Sequence, residues 1–155
     1  MVINEKTKEK KIDIKFSKEN SKLSERNKLL IPNILTAARV GIERRNEISS
    51  AYKKAFEGKI KFQDMPAKTY NAHHLFIIQV KNRKELYNFL HSKGVLVQIH
   101  YVPVHLFPYY KKIGYSEADL SNSEKYYSSC ISLPMYPTLS NEEQSYVINK
   151  VLEFI

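Results

Sequence analysis

The sequence predicts an α+β fold: a small three-stranded sheet covered by helices and preceded by a long connecting helix. Three observations predict it. Apolar runs of strand length alternate with amphipathic stretches from about Tyr70 onward, a helical stripe of Ile48, Tyr52, Ala55 and Phe56 precedes them, and capping signals fall between the runs. At 155 residues and 43% apolar composition the chain can build one core, so one domain plus an extension is expected.

Residues 1–33 carry nine basic side chains, from Lys6 to Lys28, against five acidic ones, with apolar residues sparse outside Ile12, Ile14 and Phe16. That composition predicts a basic extension that is disordered or poorly packed, with Ile12 to Phe16 as the alternative of a short edge strand. From Ile34 to about Gly58 the apolar residues take helical spacing, with Glu43 to Glu47 on the opposite side, which predicts the connecting helix. Gly41 weakens its middle by roughly 1 kcal/mol relative to alanine, so a break or bend is expected there. Pro66 then separates this helix from the remainder, 59–155.

His74 to Val80 reads as the first strand, Asn82 with Glu85 three residues on as a capped helix start, and Gly94 as the end of that helix. Val95-Leu96-Val97 reads as the middle strand. Asp119 to Cys130 is expected to be helical and Ile131-Ser132-Leu133 to be the third strand. Ser140 with Glu143 forms a capping box before a last helix that buries Val147, Ile148, Val151, Leu152 and Ile155.

The net charge of +9 and a pI near 9.5 suit an anionic partner but do not choose between nucleic acid, a membrane surface and a phosphorylated small molecule. Cys130 is the single cysteine, which excludes a disulfide framework within one chain and suggests a reducing cytoplasm. No apolar run approaches the roughly 18 residues of a membrane helix.

The chemistry is concentrated in Gln98 to Tyr110, which holds His100, His105, Tyr101, Tyr109, Tyr110, Pro103 and Pro108. His100 and Tyr101 fall where a buried strand stops, and the two prolines withdraw backbone donors, so the segment is expected to be a shaped loop beside the sheet. The histidines suit ligand contacts or satisfied loop positions about equally. Metal binding is the weakest reading, because no acidic or cysteine partner recurs at ligand spacing. His73 and His74 read as strand-end residues. Tyr109, Tyr110, Tyr115, Tyr126 and Tyr127 near Lys111, Lys112 and Lys125 mimic a single-strand nucleic-acid platform, yet they fall on loops and helices and no RNP-type segment accompanies them. Cys130 reads as a core residue, and Ser128, Ser129 and Ser132 lack a nucleophile elbow.

Residues from about Ile42 onward resemble the carboxy-terminal portion of the DegT/DnrJ/EryC1/StrS family of pyridoxal-phosphate-dependent sugar aminotransferases. The matching pieces, in order, are Glu43-Arg44-Arg45-Asn46-Glu47-Ile48, His74-Leu75-Phe76, Gly94, His100-Tyr101-Val102-Pro103-Val104-His105-Leu106, Pro108-Tyr109-Tyr110, Ser132-Leu133-Pro134-Met135-Tyr136-Pro137 and Leu139 to Gln144. Val102 to Tyr110 is similar to the branch acting on nucleotide-linked amino-sugar precursors of pseudaminic acid. The resemblance implies the small domain of a fold-type I aminotransferase, in an enzyme that moves an amino group from glutamate to a keto sugar nucleotide. It implies substrate-facing roles for His100, Tyr101 and His105, and pyridoxal phosphate held elsewhere, because nothing here resembles the family's cofactor lysine, pyridine-nitrogen acid or phosphate-binding serines. No catalytic, cofactor-binding or metal residue is therefore expected in this chain, which would be inactive alone. Residues 1–32 do not resemble the family, as a truncated or rearranged product would explain. A large-domain or intact transaminase subunit is the implied partner. A stand-alone binding or regulatory module and a basic nucleic-acid binder are the rival readings.

Overall fold

A computed structural model describes residues 25–66, 69–114 and 120–155. The chain divides into two units, 1–38 and 39–155. The expectations for residues 1–24, including the Ile12 to Phe16 strand, lie outside the described residues.

Helix α1 spans Glu25–Phe56, beginning ahead of the Ile34 start expected from periodicity. It runs unbroken through Gly41. The helix does not break there, because one glycine removes only about 1 kcal/mol of local preference, which the packed face of the helix outweighs. That face is Ile48, Tyr52 and Phe56, all fully buried. Polar ties hold it in place as well. Arg44 donates from one guanidinium nitrogen to the Leu139 carbonyl at 2.7 Å and to Asn141 Oδ1 at 2.9 Å, and Gln144 Nε2 donates to the Ile48 carbonyl at 2.8 Å. Asn46 Nδ2 donates to the Asn71 carbonyl at 2.8 Å.

Three antiparallel strands follow in spatial order: β1 (Lys61–Phe62), β2 (Phe76–Gln79) and β3 (Cys130–Leu133). The register pairs Phe76 with Leu133, Ile77 with Ser132 and Ile78 with Ile131. Alternation therefore turns Phe76, Ile78, Ile131 and Leu133 to one face, where Tyr52 meets Phe76 at 4.9 Å between ring centroids. The strand count agrees with the sequence reading, but the membership differs. Val95 to Val97 is not a regular strand: its only ladder contact is the Gln98–Ser132 bridge on the free edge of β3. Val95 and Val97 are buried, as a strand would bury them, but the chain leaves the sheet at His100 before a ladder can form. The vacancy in the count is filled by β1, too short to give a periodic signal.

Helix α2 (Arg83–Ser92) starts after Asn82, whose side chain makes no cap hydrogen bond, so the expected cap is only positional. Its end matches the expectation closely. Gly94 sits at φ +75, its N–H donates to His91, and Val95 N–H donates to Leu90 at 2.9 Å, a Schellman closure. Helix α3 (Pro108–Lys112) and helix α4 (Ser121–Ser129) lead into β3, and Val80 N–H donates to the last carbonyl of α4 at 2.9 Å. Cys130 thus opens β3 rather than closing a helix. Helix α5 (Asn141–Phe154) opens with the full capping box of Ser140 and Glu143 and buries Gln144, Val147 and Val151. Ile155, expected on that buried face, is exposed at the chain end. Tyr146 Oη donates to the Lys93 carbonyl at 3.0 Å and so pins α5 to the closure of α2. No helix among the described residues is long and apolar enough to cross a membrane.

Candidate functional site

The loop after Gln98 is built by its prolines. Pro103 precedes a 3-10 turn over Val104–Leu106, in which Leu106 N–H donates to the Pro103 carbonyl at 2.9 Å. Pro108 then takes the first position of α3, where a missing N–H costs nothing. This shaped turn is what the proline spacing implied.

The turn, α3 and α4 enclose an open cavity of about 700 Å³. His100, Tyr101 and His105 all line it, so the three residues expected to face a ligand share one cleft. Their circumstances differ. Tyr101 is 74% exposed, its ring edge-on to His100 at 4.7 Å. His100 is half-buried, and its Nδ1 lies 2.9 Å from the hydroxyl of Ser132, which is itself buried in β3. His105 is 7% exposed and its Nε2 meets Glu124 Oε1 at 2.9 Å, so that nitrogen is occupied from within the protein. The peptide bond between His100 and Tyr101 is cis.

The other wall was not anticipated. Asn122, Ser123, Tyr126 and Tyr127 line the cavity from α4, with Tyr110 from α3. Their spacing of i, i+1, i+4 and i+5 places them on one helical face, a signal available in the sequence, although there the tyrosines read as part of a basic aromatic run. Burial, then the neighbouring Cys130 thiol, pushes the Tyr126 phenol up, and burial foremost pushes the Cys130 thiol up. Cys130 is therefore a protonated core thiol rather than a nucleophile. Arg83 lies over the Tyr127 ring at 5.0 Å, backing this wall with a cation.

The lining offers hydroxyl, amide and imidazole groups on an aromatic frame, which suits a polar, ring-shaped ligand held by hydrogen bonds and stacking. Among the described residues it contains no lysine and no carboxylate. A pyridoxal phosphate Schiff base needs a lysine, and its pyridine nitrogen an acid, so these residues do not fit that cofactor. No cluster of metal-ligating side chains occurs among the described residues.

The DegT/DnrJ/EryC1/StrS aminotransferase family model matches residues 3–152. The match reaches far ahead of Ile42, so the amino-terminal residues, expected to fall outside the resemblance, belong to the matched span. The chain is 31% identical to the UDP-4-amino-4,6-dideoxy-N-acetyl-beta-L-altrosamine transaminase of Campylobacter jejuni over 113 residues, covering 68% of this chain and 30% of that protein. Among solved structures it resembles Helicobacter pylori PseC, an aminotransferase involved in the biosynthesis of pseudoaminic acid, with a TM-score of 0.70 at 25% identity over 77% of this chain and 34% of that one. It also resembles the PLP-form of a putative sugar aminotransferase from Streptococcus pneumoniae, with a TM-score of 0.62 at 28% identity over 70% of this chain and 30% of that one. The chain thus spans about a third of the length of these relatives.

Proposed function

Because this chain belongs to the DegT/DnrJ/EryC1/StrS aminotransferase family, we propose that residues 59–155, preceded by α1 (Glu25–Phe56) as the connecting helix, act as the small domain that closes over the sugar nucleotide of a pyridoxal-phosphate-dependent aminotransferase. The reaction of that enzyme is amino transfer from glutamate to a keto sugar nucleotide, and the altrosamine precursor of pseudaminic acid is the substrate branch we favour. The observation that carries the reading is the convergence of His100, Tyr101 and His105 on one cleft walled by Tyr110, Tyr126 and Tyr127. Hydroxyl and amide groups recognise a sugar by direct hydrogen bonds, and tyrosine faces pack on pyranose or base rings.

This chain's part in the reaction is to bind and enclose. Tyr101, the most exposed member, reaches the ligand first, and His100 offers its outer nitrogen from a fixed ring. His105, held by Glu124, sets the wall beneath them. The cofactor supplies the carbanion chemistry and is assigned to another domain or subunit, since no lysine among the described residues lines the cavity to carry it. That domain would cover the exposed apolar rim of Tyr101, Val104, Phe107 and Tyr109. The buried free thiol of Cys130 suits a reducing cytoplasm.

Titration of the purified chain with a UDP-N-acetylhexosamine, followed by NMR, tests the binding role. Saturable shifts confined to the cavity residues are expected. Shifts confined to other surfaces, or none at saturating ligand, would remove it. A separate assay with pyridoxal phosphate, glutamate and a keto sugar nucleotide is expected to give no turnover by this chain alone.

A further inference from the structure

We infer that Ser132 is a positioning residue that fixes the tautomer of His100, so that His100 presents Nε2–H as a hydrogen-bond donor to the cavity. The inference deepens the sugar-nucleotide reading of this cleft and rests on it for its functional meaning. Its structural basis is independent. Ser132 stands in the middle of β3, buried, and its backbone is clamped on the free edge of the sheet: its N–H donates to the Gln98 carbonyl at 2.8 Å and its carbonyl accepts from Gln98 N–H at 3.2 Å. Ile77 pairs with it on the opposite side. The strand alternation that sends Ile131 and Leu133 into the core sends Ser132 to the other face.

Gln98 lies two residues before His100, so the same bridge that clamps Ser132 delivers the imidazole to its hydroxyl at 2.9 Å. Among the described residues His100 Nδ1 is the only hydrogen-bond partner of that hydroxyl. The hydroxyl is a donor as well as an acceptor. Were Nδ1 to carry the proton, the hydroxyl hydrogen would be left in a buried site with no acceptor among the described residues, a cost that buried polar groups avoid. The satisfied arrangement has Ser132 Oγ–H donating to an unprotonated Nδ1, which puts the ring proton on Nε2. The Tyr101 ring stands nearly perpendicular to the imidazole at 4.7 Å between centroids.

The consequence is selective. A neutral His100 of this tautomer donates to an acceptor oxygen of the ligand, such as a phosphate, carbonyl or ether oxygen, and does not accept from a ligand amine. A neutral His105 cannot substitute as donor, because its one N–H, on Nε2, goes to the Glu124 carboxylate and leaves Nδ1 able only to accept.

Long-range proton–nitrogen correlation of the histidine rings, in buffer alkaline enough to keep them neutral, tests the inference without any ligand. In the wild-type protein, His100 is expected to show Nε2–H with Nδ1 shifted as a hydrogen-bonded acceptor, and the Ser132 hydroxyl proton is expected to exchange slowly enough to be seen. An Nδ1–H tautomer would overturn the inference. Ser132→Ala is expected to lose the acceptor shift of Nδ1 and to relax the tautomer ratio on the order of tenfold toward that of a free ring, while Ser132→Thr restores the wild-type pattern. An unchanged ring in Ser132→Ala would overturn it as well. Should Ser132→Ala fail to fold, the wild-type and Ser132→Thr spectra still decide. The nucleotide-sugar titration reports separately on the ligand, so a locked ring with no sugar binding would refute the site reading and leave the tautomer assignment standing.

Discussion

Tyr52 joins a buried face to a polar tie in one side chain. It is fully buried on α1 and its hydroxyl donates to the Pro134 carbonyl at 3.0 Å, just beyond β3. Replacing it with phenylalanine keeps the packing and leaves that carbonyl unpaired, so Tyr52→Phe is expected to lose about 1 kcal/mol in urea unfolding. The pH dependence has a definite sign. Burial first, and the Tyr136 phenol second, push the Tyr52 phenol far up from 10.0. The unfolded chain therefore releases this proton near pH 10 while the folded chain keeps it. The stability tied to it is fully present below that pH and is lost as pH rises above it toward the folded value. Urea midpoints measured across alkaline pH are expected to fall more steeply for the wild type than for Tyr52→Phe; parallel curves would contradict this. The residues that face the cavity divide by legibility on the same physical ground. His100, Tyr101 and His105 were readable because they follow an apolar run and are crowded by prolines. Glu124 and Ser132, which hold those histidines, come from separate elements and become neighbours only through sheet register and helix docking. No local pattern announces that.

At the scale of elements, the capping signals that worked are those whose chemistry is closed within a few residues. Ser140 and Glu143 satisfy each other's backbone donors, with Glu143 N–H donating to Ser140 Oγ at 3.1 Å and Ser140 N–H donating to Glu143 Oε2 at 2.8 Å. Gly94 supplies the left-handed turn that closes α2. Ser140→Ala is expected to cost about 1 kcal/mol through the lost cap. Gly94→Ala is expected to cost a similar amount, on the order of 1 kcal/mol, although a methyl group there would meet nothing within 4 Å, because the penalty lies in the backbone conformation alone. Denaturant unfolding of both variants checks this, and a neutral Gly94→Ala would mean that the turn relaxes to negative φ. The elements that were misread depend on partners far along the chain. Val95 to Val97 has the composition of a strand and its burial, but its ladder needs the free edge of β3 and only Gln98 reaches it. β1 is a strand solely because β2 pairs with it, at Lys61–Gln79 and Phe62–Ile78. Asn82 precedes α2 as an N-cap should, yet its side chain leaves the first turn uncapped.

For the whole molecule, two long-range properties oppose each other. The net charge of +9, legible from composition, repels copies of the chain from one another. The exposed apolar side chains around the cleft attract them: Tyr101, Val104, Phe107, Tyr109 and Ile113 all lie open to solvent on the loop, the 3-10 turn and α3, with its C-terminal flank. This patch was not legible beforehand, since nothing local distinguishes an apolar residue that turns inward from one that turns out. Salt separates the two forces. It screens the charge within a Debye length of about 8 Å at physiological ionic strength, and a sulfate salt strengthens the burial of apolar surface. Sedimentation velocity is therefore expected to show a monomer at low ionic strength and a concentration-dependent shift to larger species as ammonium sulfate is added below its precipitating range. A Phe107→Ser, Tyr109→Lys double variant leaves His100, Tyr101 and His105 in place and removes much of the patch, so it is expected to remain monomeric across the same range. Association that weakens with salt, or that persists unchanged in the double variant, would place the attraction in charge pairing or on another surface.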